Sequence, residues 1–134
     1  HVLIHDAARP WINSALLDRI LDALSEAHAV APAIALTDTM VRLDRKGNVA
    51  SFPDRAMYRR VQTPQGFCLD VIREAHERAT RETGFLATDD AGLVHHYNLA
   101  RVVLVDGDTR NIKITTAEDL EAFNKVVKVE KLKS

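Results

Sequence analysis

Val2-Leu3-Ile4-His5-Asp6-Ala7-Ala8-Arg9-Pro10 is the stretch on which the reading of this chain turns. A short apolar run stops abruptly at an acid, and an arginine follows three residues later. A buried strand that ends this way delivers a carboxylate and a guanidinium to one place. Open α/β sheets bind ligands at the carboxyl ends of their strands, so Asp6 falls where a metal ligand is wanted and Arg9 where an anion clamp is wanted. The plainer reading of the same residues is a helix N-cap followed by a surface arginine.

A strand as apolar as Val2 to Ile4 needs neighbours on both edges and cover on both faces. The chain opens on His1 with no approach segment, which leads us to expect the rear part of a longer protein. Its 134 residues suffice for one core and show no sign of a second. Eighteen bases against nineteen acids argue against a nucleic-acid groove or a membrane-binding face and favour a small anionic ligand. Cys68 is the only cysteine, so no intrachain disulfide forms, and no Cys/His spacing matches a zinc site. With no bilayer-length apolar run and no secretory signal, cytoplasmic is the default location.

Outward from the first strand, strand-like and helix-like periods alternate. An amphipathic helix is predicted from about Asn13 to His28, with Asn13 or Ser14 as cap, followed by an apolar run from Val30 to Leu36. Thr39 to Leu43 and Val49 to Phe52 flank the turn Asp44-Arg45-Lys46-Gly47-Asn48. They read as the hairpin of a polar, arginine-rich arm at about 38–62. Tyr58 to Thr63 returns as an extended segment, Thr63 to Phe67 makes a turn, and a charged helix covers about Leu69 to Arg81. A further helix starts at Thr88-Asp89-Asp90, with Thr88 able to cap it, and runs to Tyr97. Arg101 to Val105 reads as a buried strand, Ile112 to Ile114 as a short one, and Thr116-Ala117-Glu118-Asp119 caps a last helix ending near Val127. Lys125 to Lys133 reads as a charged tail that can fray. This alternation predicts one partial α/β domain over 1–134, doubly wound, with a mostly parallel sheet and a projecting β-arm.

Five segments then occur in a telling order: His5-Asp6-Ala7-Ala8-Arg9-Pro10, Asp38-Thr39-Met40, Gln62-Thr63-Pro64-Gln65-Gly66-Phe67, Thr88-Asp89-Asp90-Ala91 and Asn111-Ile112-Lys113-Ile114-Thr115. With this order and spacing the chain resembles the 2-C-methyl-D-erythritol 4-phosphate cytidylyltransferases. The resemblance implies a Rossmann-like nucleotidyltransferase fold and an enzyme of non-mevalonate isoprenoid biosynthesis. That enzyme joins CTP to methylerythritol phosphate, releases pyrophosphate and requires a divalent metal, usually Mg2+. It also implies an N-terminal glycine-rich nucleotide loop bearing arginine and lysine. No such loop occurs in this sequence, so the nucleotide-binding part is expected to be missing and the 134 residues alone to be inactive.

By the same resemblance Asp6 is the metal-binding aspartate, Arg9 the arginine that contacts methylerythritol phosphate, and Lys113 the lysine that neutralises phosphate charge. Taken alone, Lys113 would pass for an edge-strand lysine that discourages aggregation. Thr88 matches a substrate-binding threonine, and its plain alternative is the helix cap. Thr39, Arg55 and Thr63 match positions on or near the arm, where Thr39 and Arg55 reach the other subunit's substrate, which implies a homodimer formed through the arm. Ala7 is expected near the nucleotide through its backbone, where a small residue permits close approach. Arg42, Arg45, Arg59 and Arg60 read as solvated arm residues.

Other features are set aside. His95 and His96 are adjacent on a helix and point apart, which makes a poor chelate. His5 should face away from Asp6 on a strand, so it is not expected as a second metal ligand. Asp106-Gly107-Asp108 reads as turn chemistry and Trp11 as packing at a helix start. Two alternatives stay open: a ribitol-5-phosphate cytidylyltransferase, which shares the fold and most motifs, and a non-catalytic dimerising remnant if the chain is natively this short.

Overall fold

The computed structural model describes residues 1–134. Its elements are β1 (Val2–Ile4), α1 (Ser14–Leu24), β2 (Ala29–Ala35), β3 (Arg42–Leu43), β4 (Val49–Ser51), β5 (Arg59–Val61), β6 (Gln65–Phe67), α2 (Leu69–Arg81), α3 (Asp90–His96), β7 (Val102–Asp106) and α4 (Ala117–Lys133). A single 3-10 turn at Arg55–Met57 precedes β5.

The long strand β2 organises the sheet. It pairs in parallel with β7, from Ala29 opposite Val102 to Ala33 opposite Asp106. It pairs antiparallel with β6 at Ala29 and Val30, and antiparallel with β5 from Ala33 to Ala35. β1 pairs antiparallel with β6, Val2 opposite Phe67 and Ile4 opposite Gln65. The sheet is therefore mixed, not mostly parallel as the sequence suggested. The arm is the reason: the chain leaves β2, builds the β3–β4 hairpin and returns beside β2, and the two legs of such an excursion must run antiparallel.

Alternation along β2 feeds both faces. Ala29 and Ala31 join Phe67, Ile72, Ala75, Ala91, Leu93 and Val94 under α2 and α3, whereas Val30 joins Leu16, Ile20 and Leu24 under α1. Helices thus cover both faces, as a doubly wound sheet requires. Gly66 makes the second contact possible, because a Cβ there would lie 2.6 Å from a Leu24 methyl and 2.9 Å from Ile20.

Several boundaries differ from expectation. Gln65 to Phe67 is a strand and not the end of a turn, since β1 and β2 both pair with it. Ile112 to Ile114 forms no strand, having no ladder partner. Helix α1 ends at Leu24, short of His28, and α4 continues to Lys133, past Val127. The start of α4 matches its reading: Thr116 and Asp119 form a reciprocal capping box. Trp11 packs edge-on against Phe123 of that helix, ring centres 6.1 Å apart.

Candidate functional site

Asp6 follows β1 and closes a tight turn on itself. Its carboxylate accepts from the Ala8 N–H at 3.0 Å, and its carbonyl accepts from the Arg9 N–H at 3.0 Å. This is the local hydrogen bonding that aspartate offers a turn. The other carboxylate oxygen lies 2.9 Å from Lys113 Nζ. That ammonium, then the Ala8 N–H, hold the Asp6 carboxyl below the usual carboxylate range.

Lys113 reaches Asp6 without a strand to carry it. The Ile114 N–H donates to the Ala8 carbonyl at 2.8 Å, and Arg9 Nη1 donates to the Asn111 carbonyl at 2.7 Å. Two bonds thus tie the 111–114 segment to the turn after β1. Burial lowers the Arg9 pKa, the Asp6 charge opposes that, and Arg60 adds to it. Arg60, read from sequence as a solvated arm residue, lines with Arg9 and Lys113 a recess of about 390 Å³.

Thr63 sits where the strand returning from the arm breaks register. From Ala29 opposite Phe67, unbroken antiparallel pairing would put Thr63 opposite Ala33, but Val61 is there. The two extra residues bulge at the cis Thr63–Pro64 bond and bring the Thr63 hydroxyl to the Asp6 N–H, 3.0 Å away.

Asp6, Arg9, Thr63, Thr88 and Lys113 line one cavity of about 570 Å³. Thr88 is not the cap of α3: Asp89 is, accepting from the Gly92 N–H at 2.7 Å. Thr88 therefore lies at the cavity wall with its hydroxyl unused by the helix. Thr39 and Arg55 do not line this cavity. Both are exposed on the arm, where Arg55 Nη1 donates to the Thr37 carbonyl at 2.7 Å. Ala7 is exposed beside Asp6.

Sequence reasoning missed the residues that hold these walls. Gln62 is buried and donates to the Asp108 carbonyl at 2.9 Å, while its oxygen accepts from the Asp108 N–H at 3.1 Å. Asn111 is wholly buried and donates to the Thr63 carbonyl at 2.8 Å. Gln65, also buried, accepts from the Ala91 N–H at 2.9 Å and donates to Asp89 at 2.9 Å. Asp89 and His95 also line the cavity. The two adjacent histidines do diverge, His95 to the cavity and His96 onto Phe85 at 3.6 Å between ring centres. Asp108 is absorbed by Arg110 and Asn13, in keeping with turn chemistry.

An α/β sheet with helices on both faces, gathering two carboxylates, Asp6 and Asp89, and two cations, Arg9 and Lys113, around a polar cavity beyond a strand end, defines a Rossmann-like domain. Residues 1–128 match the family model of 2-C-methyl-D-erythritol 4-phosphate cytidylyltransferase, and the chain belongs to that family. It is 46% identical over 124 residues to the enzyme of that name from Thermobifida fusca, covering 89% of this chain and 50% of that protein. It is 50% identical over 118 residues to the bifunctional enzyme IspD/IspF of Nitrobacter winogradskyi, covering 88% of this chain and 29% of that one. The crystal structure of the Thermus thermophilus cytidylyltransferase superposes with a TM-score of 0.82 at 36% identity, over 94% of this chain and 61% of that one. The chain thus spans about half, or less, of the curated relatives it matches.

Proposed function

We propose that this chain forms the alditol-phosphate side of a cytidylyltransferase active site, for the reaction of CTP with 2-C-methyl-D-erythritol 4-phosphate in non-mevalonate isoprenoid biosynthesis. The carrying observation is the Asp6–Lys113 ion pair at 2.9 Å with Arg9 on the same cavity. In this reaction a phosphate oxygen of the alditol phosphate attacks the α-phosphorus of CTP, and the bond to the β-phosphate breaks to release pyrophosphate. Both reactants are anions, so the first requirement is fixed positive charge. Arg9, held through one nitrogen by the Asn111 carbonyl, keeps further donors for a phosphate. Lys113, half exposed, is steered by Asp6 and can follow charge as it develops.

Asp6 suits a magnesium ion, being a hard, ionised carboxylate, and magnesium is commonly held by one or two carboxylates together with substrate phosphates. When bound, the metal supplies positive charge to the nucleotide phosphates. The Ala7 backbone fits close approach of the nucleotide, and the Thr88 hydroxyl that of the alditol. Thr39 and Arg55, turned away from their own cavity, serve a second subunit's site in a homodimer formed through the arm. Exposed Leu43, Val49, Phe52 and Met57 on and beside the arm support that arrangement. No helix is long and apolar enough to cross a membrane.

Calorimetric titration with methylerythritol phosphate and with ribitol 5-phosphate, each with CTP and magnesium, tests the reading. Methylerythritol phosphate should bind at least about tenfold tighter, a margin of one hydrogen bond or more. Preference for ribitol 5-phosphate would replace the substrate, and no binding of either would remove the function.

A further inference from the structure

His5 has no part in the chemistry described so far. Its ring is exposed and does not line the cavity, yet both its nitrogens are engaged. Nε2 lies 2.7 Å from the Arg9 carbonyl and Nδ1 lies 3.0 Å from the Thr63 hydroxyl. A carbonyl can only accept, so Nε2 carries the hydrogen. In the uncharged ring Nδ1 is then an acceptor, and the single hydrogen of the Thr63 hydroxyl must point to it. The Asp6 N–H takes one lone pair of the same hydroxyl at 3.0 Å. What Thr63 has left for the cavity it lines is one lone pair.

We propose that His5 is a positioning residue that makes Thr63 a hydrogen-bond acceptor toward the ligand, and thereby assigns Thr63 to a hydroxyl of the alditol chain and not to its phosphate. The proposal rests on the alditol-phosphate reading above. A phosphate oxygen is itself an acceptor and gains nothing from a lone pair, whereas a polyol hydroxyl can donate to it. The cavity then divides its work: Arg9 and Lys113 offer only donors, and Thr63 offers an acceptor. The same imidazole bonds to the Arg9 carbonyl, so the acceptor and the anion clamp are fixed to one ring.

The test is calorimetric binding of 2-C-methyl-D-erythritol 4-phosphate and its monodeoxy and monodeoxyfluoro analogues. Fluorine occupies the place of a hydroxyl but cannot donate. In the unaltered protein one position should lose about tenfold in affinity on deoxygenation, with no recovery on fluorination. Thr63→Val should abolish the sensitivity at that position. His5→Phe frees the Thr63 hydrogen, so the fluoro analogue should recover roughly threefold over the deoxy one. His5→Gln, which keeps a donor and an acceptor, should restore the original pattern. A fluoro analogue that binds the unaltered protein like the parent, no sensitive position at all, or an unchanged pattern in His5→Phe would each overturn the assignment while leaving the function standing. Failure of the unaltered protein to bind any alditol phosphate would overturn both.

Discussion

The cavity wall and the arm are built on opposite principles. Around the cavity, buried amides bond to backbone: Gln62 to Asp108, Asn111 to Thr63, Gln65 to Ala91. The arm has hardly any interior. Its hairpin is two short strands with a register shift, and Leu43, Val49 and Phe52 are exposed. A buried amide that loses its partner costs the whole desolvation of the group left behind, so the wall has one geometry. The arm has little to lose within the monomer and much apolar surface to offer another chain. A site needs its charges fixed before the ligand arrives, whereas an interface element can complete itself on association.

The sharpest way to break the wall is Asn111→Ala. The substitution leaves the Thr63 carbonyl without its donor and empties a wholly buried position, so it should cost about 3 kcal/mol of stability, measured by urea unfolding. An effect under about 1 kcal/mol would show that the wall does not depend on this side chain.

Arg9→Ala is next. It removes a charged donor from the cavity, and methylerythritol phosphate affinity should fall about a hundredfold. Arg9→Lys should recover only part of the loss, because an ammonium cannot both hold the Asn111 carbonyl and present a planar fork. Full affinity in the lysine variant would reduce Arg9 to a point charge.

Lys113→Met gives a smaller effect, read as pH dependence. Lys113 is the largest cause of the lowered Asp6 pKa, so its removal should move the Asp6 titration up toward the ordinary range, followed by carboxyl NMR. A carboxyl depressed by folding stabilises the fold above its unfolded pKa of about 3.9 and loses that contribution as pH falls through the depressed value. The unaltered protein should therefore lose more stability than Lys113→Met between neutral pH and strong acid. Equal acid sensitivity would mean that the ion pair is formed without consequence.

The contrast between the two regions also explains what the sequence made legible. Asp6 and Arg9 were readable because a strand stopping at an acid is a local signal. Thr116 and Asp119 were readable because a capping box is written in four consecutive residues. Gln62, Gln65 and Asn111 were not, since their partners lie far along the chain and no periodicity marks a polar residue that faces inward. Lys113 was expected at the right place through a strand that does not exist; its position comes from backbone bonds to Ala8 and Arg9. Thr88 was expected to cap its helix, but Asp89 next to it is the cap, its other oxygen being held by Gln65. The mixed sheet was hidden because alternating strands and helices do not reveal that an arm interrupts one edge.

The smallest expected effect sharpens the comparison most. Replacing Phe52 with Ser and Leu43 with Asp alters two side chains that are 69% and 55% exposed. Neither belongs to the buried clusters, so unfolding measured on monomer should change by no more than about 0.5 kcal/mol. If the arm completes itself on a second copy, the unaltered protein should sediment as a dimer and the same pair of substitutions should abolish it. Methylerythritol phosphate binding should weaken with it, because Thr39 and Arg55 then have no second cavity to reach. A large loss of monomer stability would mean that the arm packs on its own domain, and an unaffected dimer would move the interface elsewhere. Either result would leave the wall intact and change only what the exposed hairpin is for.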